Sequence, residues 1–228
     1  MAFMTPTVNL HFEALGDQAI LIQAANEADA LAVATAVREQ RYGWTEDIVQ
    51  AYSSIAVFYR PDAMDYRQAT DCLAALDWRG PRNAAAGKLH FIPCCYDLGL
   101  DFDRIAQHSG LSREQVVAIH SETIYTVYAI GFCPGFPYLG YLPPSLAGVP
   151  RLESPRVKVE AGSVGLTGRQ TGIYTEARPG GWNIVGRTPL ELVNVVDGYF
   201  PIRTGDRVQF QPIDDAAFRE LSGQRLPT

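Results

Sequence analysis

The chain has 228 residues, of which 47% are hydrophobic and 19% charged, and its formal net charge is -6. These values are ordinary for a globular protein with a sizeable core, in one large domain or two small ones. The acidic balance and the lack of a basic run argue against nucleic acid as a partner. No stretch approaches the roughly 20 apolar residues that span a bilayer. The N-terminus lacks a secretory signal, so we expect a cytoplasmic protein with no membrane partner.

The first third of the chain predicts a small α+β unit. Alternating apolar residues between 8 and 23 predict a β-hairpin around a Gly-Asp turn. Asn26 is the expected N-cap of a helix whose apolar residues recur at helical spacing. Residues 48–59 predict two short strands, and residues 66–76 predict a second amphipathic helix. Together they indicate one sheet with two helices on one face.

The domain boundary is predicted at residues 79–87, a small, polar and turn-rich segment with neither helical nor strand periodicity. We therefore expect a small α+β domain at 1–82 and a second domain at 88–213. A C-terminal tail at 214–228 is expected to hold one short helix and then fray.

The second part predicts a β-barrel preceded by two short helices. Residues 88–96 read as a strand, and the second helix begins with a capping box in which Ser112 is the N-cap and Gln115 the N3 residue. Residues 123–131 are β-branched and aromatic, which is typical of a strand. From 131 to 212, short β-like runs separated by glycine or proline favour a closed antiparallel barrel.

An aromatic segment, "GFCPGFPYLGYLPPSLAGVP" at residues 131–150, interrupts this pattern. Its prolines exclude a helix and make a strand unfavourable. Because such a segment buries its side chains without pairing its backbone, we expect it to cover a barrel mouth, line a pocket or meet another chain.

The sequence contains few motifs that indicate a catalytic, nucleotide-binding or metal-binding site. There is no P-loop, no dinucleotide-binding glycine motif and no zinc motif, and no metal site is expected. The four cysteines fit neither a disulfide framework nor a zinc site, although Cys133 lies within the aromatic segment. Ser163 has Ala161 two residues before it, where a nucleophile elbow requires glycine. His120 lies near the end of the capped helix, so it is a candidate acid, base or hydrogen-bond donor. The other histidines are interpreted as structural or surface residues.

Two glycine-rich segments, residues 167–175 and 178–189, allow close backbone approach and positive φ angles. Exposed amides on such turns bind carboxylate, carbonyl or phosphate oxygens. Barrel corners also require glycine, and the spacing alone favours that simpler interpretation.

Three segments resemble a known family when taken together. They are "IHSETIYTVYAIGFCPGFPYLGYL", "PRVKVEAGSVGLTGRQTGIYTEARPGGWNIVGRTP" and "GDRVQF". This order of rare Gly, Pro and aromatic motifs is similar to that of the allophanate hydrolase subunit 1 family, also called the KipI or PxpB family. The resemblance covers residues from about 8 to 212.

The resemblance implies an α+β fold in which a small α+β domain precedes a cyclophilin-like antiparallel β-barrel. Bacterial members are the B subunit of an ATP-dependent 5-oxoprolinase, a hydrolase that opens 5-oxo-L-proline to L-glutamate. The implied partners are a homologous C subunit, from the allophanate hydrolase subunit 2 family, and the A subunit of the same enzyme. The chain alone is expected to be inactive. Two alternatives stay open: an inhibitor of a sporulation-type histidine kinase, and a carboxyltransferase component that acts on urea or allophanate.

The same resemblance assigns candidate site residues. His120 is the expected catalytic acid or base. ATP is expected to be used by the complex, with its site on this chain left open. Arg169 is a weaker candidate, because many relatives carry a small residue at its position. The expected substrate-binding residues are Gly135, Phe136, Gln170, Thr171, Gly172, Gly180, Gly181 and Arg187.

Overall fold

A computed structural model describes residues 10–78 and 87–226 of the chain. The chain divides into two compact units, Met1–Ala85 and Ala86–Thr228. The predicted boundary segment 79–87 lies almost wholly outside the described residues, and so does the start of the first predicted strand. Among the helices in the described ranges, none is long and apolar enough to cross a membrane.

The first unit is an antiparallel sheet packed against two helices. The strands are β1 (His11–Ala14), β2 (Ala19–Gln23), β3 (Thr45–Ala51) and β4 (Ser54–Tyr59), and the helices are α1 (Glu27–Gln40) and α2 (Tyr66–Ala74). The sheet order is β1-β2-β4-β3. Ile20 and Val57 from the sheet bury against Val33 and Leu73 from the helices. The predicted hairpin and helices are therefore confirmed.

Local capping explains where both helices begin. The side chain of Asn26 accepts a hydrogen bond from the amide of Asp29 at 2.9 Å, as the sequence predicts. Asp65 and Gln68 form a capping box at α2 that the sequence analysis did not identify. In β1, Ala14 is exposed, so the predicted buried alternation does not extend to the end of that strand.

The second unit combines many short strands with three helices in its described residues. In chain order these are β5 (Leu89–Cys94), α3 (Phe102–Ser109), α4 (Arg113–Glu122), β6 (Ile124–Ile130), β7 (Pro137–Gly140), β8 (Arg156–Val159), β9 (Ser163–Thr167), β10 (Gln170–Ile173), β11 (Arg178–Gly180), β12 (Asn183–Arg187), β13 (Arg207–Pro212) and α5 (Asp215–Glu220). A 3₁₀ turn at Tyr96–Leu98 links β5 to α3.

The main sheet of this unit is not a closed antiparallel barrel. Its order is β5-β13-β6-β7-β10-β9-β12, and β8 pairs separately with β11. β13 pairs in parallel with β5, whereas its pairing with β6 is antiparallel. In residues 87–226, an isolated bridge between Cys95 and Arg187, and no ladder, joins the end of β5 to the end of β12, the two edge strands of this sheet. The fold is thus α+β and mostly antiparallel, and the prediction of a closed barrel is wrong.

The aromatic segment forms more secondary structure than expected. Residues Pro137–Gly140 are the strand β7, which pairs with both β6 and β10. Pro137 is the first residue of that strand, a position at which proline is tolerated. The prediction that the whole segment cannot form a ladder is therefore wrong for these four residues.

The C-terminal tail packs onto the second unit. α5 confirms the predicted short helix. Leu226 is buried in the core, and its carbonyl accepts a hydrogen bond from the Tyr199 hydroxyl at 2.9 Å. The amide of Glu191 donates to the carbonyl of Gln224 at 2.8 Å. The predicted fraying after the helix is therefore wrong as far as Leu226, because burial and backbone pairing hold this segment.

Candidate functional site

A small cavity in the second unit, which we call the aromatic pocket, has a volume of about 220 Å³. Arg151 lies at this pocket, and so do two predicted substrate-binding residues, Gly180 and Gly181. The aromatic residues that line it are Phe132, Phe136, Tyr138, Tyr174 and Trp182. Three of the predicted residues, with Phe136 among them, therefore share one cavity.

Phe136 is the centre of the aromatic cluster. Its ring centroid lies 4.9 Å from that of Tyr138, 5.3 Å from Tyr174 and 5.5 Å from Trp182. The rings of Tyr174 and Trp182 are nearly perpendicular to it, the edge-to-face geometry that aromatic quadrupoles favour. Phe136, Tyr174 and Trp182 are buried, whereas Tyr138 is half-buried. The inner wall of the pocket is thus fixed by ring packing.

Phe132 lies at this pocket in a strained backbone conformation. Its φ angle is 66°, and the amide of Cys133 donates to the carbonyl of Gly131 at 2.8 Å across it. This is a γ-turn with positive φ, a rare conformation for a bulky residue. The side chain is nevertheless 60% exposed. Strain of this kind tends to occur at ligand sites, so the pocket is a candidate functional site.

We expect Phe132→Gly to be more stable than Phe132→Ala by about 1 kcal/mol, because only glycine adopts this φ without steric cost. Urea unfolding of the two variants measures the difference. Phe200 is the matched control, since it is also exposed but has no positive φ. At Phe200, the alanine variant should be at least as stable as the glycine variant. Equal stability of the two Phe132 variants would contradict the strain assignment.

Two predicted glycines are required by close packing rather than by positive φ. A Cβ on Gly180 would overlap the hydroxyl of Tyr174. A Cβ on Gly172 would lie 2.8 Å from the carbonyl oxygen of Pro137 and 3.0 Å from the ring of Phe136. Gly172 is also buried between β7 and β9, so its backbone belongs to the sheet. These glycines allow the aromatic cluster to form.

The remaining predicted loop residues lie outside the aromatic pocket. Gly135 has a φ of 68°, and a Cβ there would overlap the side chain of Val193. Gln170 is half-buried at the start of β10, opposite Gly140 of β7. Neither residue is among those lining the pocket. Their substrate-binding role stays a prediction.

His120 belongs to a buried chain of hydrogen bonds. Its Nδ1 is 2.7 Å from the hydroxyl of Tyr96, and its Nε2 is 2.9 Å from the hydroxyl of Thr171. The Thr171 hydroxyl donates to the carbonyl of Gly165 at 3.0 Å. The imidazole stacks on Phe210 with centroids 4.6 Å apart, and it is fully buried.

This chain of hydrogen bonds fixes the tautomer of His120. Because the proton of the Thr171 hydroxyl is used at Gly165, that oxygen accepts from His120, and the proton of the imidazole lies on Nε2. Nδ1 then accepts from the Tyr96 hydroxyl. Desolvation lowers the pKa of His120 to about 3, and burial raises the pKa of Tyr96. His120 is therefore neutral: its Nε2 proton is donated to the Thr171 hydroxyl, and its Nδ1 carries no proton and accepts from the Tyr96 hydroxyl.

Arg187 lies in a second concavity, the Arg187 groove, with a volume of about 500 Å³. Its Nε donates to the carbonyl of Ala161 at 2.8 Å. Glu191 also lines the groove, and a hydrogen bond from Arg225 lowers the pKa of that carboxyl. Tyr174 lines both the groove and the aromatic pocket. The predicted substrate-binding residues are thus divided among two concavities, the strand β10 and the loop at Gly135.

Cys133 packs in the aromatic cluster with Phe136 and is not placed as an activated nucleophile. Desolvation raises the pKa of the Cys133 thiol, whose sulfur lies 3.5 Å from the Thr175 hydroxyl. A protonated thiol is a poor nucleophile. Across residues 10–78 and 87–226, no group of three or more His, Cys, Asp or Glu side chains is placed to hold a metal ion.

Sequence reasoning missed Arg151 as a pocket residue. It follows Val149 and Pro150 in an irregular segment, where one arginine carries no periodic or motif signal. The pairing of Val149 with Gly168 and the hydrogen bond from the Leu152 amide to the Gly181 carbonyl bring this segment beside the aromatic cluster. Tyr174 and Trp182 lie within the motifs of the resemblance, but nothing in the spacing predicts that their rings pack against Phe136.

Comparisons with known proteins identify relatives. The B subunit of 5-oxoprolinase from Bacillus subtilis is 34% identical over 95% of this chain and 99% of its own length. The B subunit of 5-oxoprolinase from Escherichia coli is 50% identical over 50% of this chain, and the match spans 52% of that relative.

Solved structures extend the comparison. The crystal structure of TTHA0988 is 32% identical with a TM-score of 0.75, covering 86% of this chain. The match spans 40% of that longer protein. The urea carboxylase of Kluyveromyces lactis is 15% identical with a TM-score of 0.69, over 94% of this chain and 22% of that protein, and shows only a shared fold.

One family description covers most of the chain. The description "Carboxyltransferase domain, subdomain C and D" matches residues 10–197. That range includes the aromatic segment, His120 and the Arg187 groove up to Val193. The full-length similarity to the Bacillus relative supports the same assignment. The chain therefore belongs to the family of carboxyltransferase domains that comprise subdomains C and D.

Proposed function

We propose that this chain is the B subunit of an ATP-dependent 5-oxoprolinase and helps cleave 5-oxo-L-proline to L-glutamate. The observation that carries the proposal is the 34% identity to a protein of that name, over 95% of this chain and 99% of the relative. A match over nearly the full length of both proteins means that nearly all of this chain, and not one shared module, has its counterpart in that relative.

Opening of the 5-oxo-L-proline ring is proposed to require ATP and partner subunits in addition to this chain. A lactam is a stable amide, so opening it requires activation of the carbonyl and attack by water. We assign ATP to the complex rather than to this chain. Among the described residues that line the Arg187 groove, Arg187 is the cation and Glu191 an anion, which makes no positively charged cradle for phosphates. The proposed partners are the homologous C subunit and the A subunit of the same enzyme.

The site residues enter this proposal in different ways. Phe136, Gly180 and Gly181 line the aromatic pocket and are proposed to contact the substrate. His120 and Thr171 lie in the buried hydrogen-bond chain, so a proton from the imidazole reaches a substrate only through a neighbouring hydroxyl. The catalytic role of His120, the binding roles of the other residues, the predicted domain limits and the cytoplasmic location stay predictions.

Reconstitution tests the proposal. We expect ATP hydrolysis stimulated by 5-oxo-L-proline, with formation of L-glutamate, only when this chain is combined with its two partners, the A and C components. The chain alone, and the partners without it, are the controls. An assembled complex that neither forms glutamate nor responds to 5-oxo-L-proline would contradict the proposal. Inhibition of a histidine kinase, or carboxylation of urea, would then identify one of the alternatives.

A further inference from the structure

The backbone of Arg151 is held in place beside the aromatic pocket. Its carbonyl accepts a hydrogen bond from Nη2 of Arg104 at 3.1 Å. The next amide, of Leu152, donates to the carbonyl of Gly181 at 2.8 Å. Gly181 itself lines the pocket. The position from which the Arg151 side chain extends is therefore fixed by neighbours on both sides.

The guanidinium of Arg151 is available to a ligand. Within the described part of the chain it has no hydrogen bond and no carboxylate within ion-pair distance, although it lines the pocket. Its charge acts on the hydroxyls of both Tyr138 and Tyr174. Arg104, which holds its carbonyl, likewise forms no ion pair among these residues. The pocket thus carries an uncompensated positive charge, and a carboxylate is the complementary group.

Tyr138 adds a second free polar group. Its hydroxyl forms no hydrogen bond with the described residues, and the side chain is half-buried. Desolvation raises the pKa of Tyr138, so the phenol stays a protonated donor. A ligand oxygen near Arg151 can therefore accept hydrogen bonds from two directions.

The size and walls of the pocket limit its occupant. Its volume of about 220 Å³ is below the range of roughly 300–1,000 Å³ that holds drug-sized ligands. Aromatic side chains on several sides favour a small flat ring over an extended chain. A nucleotide is too large for such a space. A single small ring that carries one carboxylate fits the volume and the aromatic lining of the pocket and is complementary to the charge of Arg151.

We propose that the aromatic pocket binds 5-oxo-L-proline, with its carboxylate on Arg151 and its lactam ring against Phe136 and Trp182. The choice of this ring acid rests on the proposed function. The pocket itself predicts the broader class of small cyclic carboxylates. Arg151 is then the residue that anchors the substrate, and the γ-turn at Phe132 holds an exposed ring at the same cavity.

Tryptophan resonances provide a direct binding test. The chain has three tryptophans, of which Trp44 and Trp78 belong to the first unit and Trp182 lines the pocket. Full-length protein labelled with 5-fluorotryptophan should give three ¹⁹F signals, and Trp182→Phe assigns the third. Titration with 5-oxo-L-proline is expected to shift only the Trp182 signal. The lactam without a carboxylate, 2-pyrrolidinone, should require a concentration at least about tenfold higher.

Variants of Arg151 test the anchor. Arg151→Gln should weaken 5-oxo-L-proline binding by about 10- to 100-fold, and Arg151→Lys should recover part of it. Arg207→Gln, at an exposed arginine of β13 outside the pocket, is the control and should bind as the unmodified chain does. In the reconstituted complex, Arg151→Gln should raise the KM for 5-oxo-L-proline and leave the KM for ATP unchanged.

The outcomes separate this inference from the proposed function. A complex that turns over 5-oxo-L-proline with an unchanged KM in Arg151→Gln would overturn the inference and leave the proposed function intact. An unresponsive Trp182 signal in a chain whose complex is active would also overturn it. Binding at Trp182 that depends on Arg151, in a complex without activity, would support the pocket and refute the proposed function.

Discussion

Phe136→Ala is expected to lower the free energy of unfolding of the second unit by about 3–5 kcal/mol. Phe136 is 2% exposed and contacts the rings of Tyr138, Tyr174 and Trp182. Its removal leaves a cavity and also breaks edge-to-face pairs worth about 0.5–1.5 kcal/mol each. Gly172 cannot close the gap, because it has no side chain to move into it.

Urea unfolding followed by near-UV circular dichroism measures this loss, since the cluster contains Trp182, the tryptophan of that unit. Phe91→Ala is the matched control, because Phe91 in β5 is 48% exposed. Its replacement should cost less than about 1 kcal/mol. A Phe136 variant as stable as the Phe91 variant would show that the cluster is not a packed core. We also expect Phe136→Ala to abolish the response of the Trp182 signal to 5-oxo-L-proline.

His120→Gln is expected to change how stability depends on pH. In the folded chain, desolvation holds the pKa of His120 at about 3, against a value near 6.5 when unfolded. The unfolded state therefore binds a proton below pH 6.5 that the folded state does not. The stability contributed by neutral His120 is complete above pH 6.5 and is lost as the pH falls toward 3. The slope from this group is roughly 1 kcal/mol per pH unit.

Chemical unfolding of both proteins at pH 7, 5 and 4 isolates this effect. His11, His90 and His108 are common to both, so their contributions cancel in the difference. His120→Gln should lose several kcal/mol at pH 7, because Tyr96 and Thr171 lose well-placed partners. The difference should narrow as the pH falls. If the free energies of unfolding of the two proteins changed in parallel with pH, the assignment of a buried neutral imidazole would be contradicted.

The same variant addresses the catalytic role predicted for His120. In the reconstituted complex, activity near that of the unmodified complex would remove His120 from the mechanism. Loss of activity with retained folding and assembly, together with a changed pH profile, would support proton transfer through Tyr96 or Thr171. Loss of assembly would instead place the effect at the contact with a partner.

Local patterns in the sequence were sufficient for most helices and strands. Asn26 and Ser112 were identified as caps because capping depends on residues only three positions apart. The strand at Ile124–Ile130 was found because its β-branched and aromatic residues are contiguous. The α+β class follows from the same short-range signals.

Pairings between strands that are far apart in the sequence could not be predicted from local patterns. The parallel pairing of β5 with β13 joins segments more than 100 residues apart, and nothing in either segment specifies the other. The open edges of the main sheet and the docking of Leu226 are decided in the same way. Pro137 misled the sequence analysis, because a proline at the first position of a strand looks the same as one that breaks it.

The sequence by itself determined the unusual composition of the aromatic segment and the family resemblance. It also predicted that His120 acts as a catalytic acid or base. Only the tertiary structure decided that His120 is sealed inside a hydrogen-bond chain, and that Arg151 meets Phe136, Tyr174 and Trp182 in one cavity. The reason is physical. Residue identity fixes what a side chain is able to do, but burial, protonation and neighbours depend on contacts between segments that no local pattern encodes.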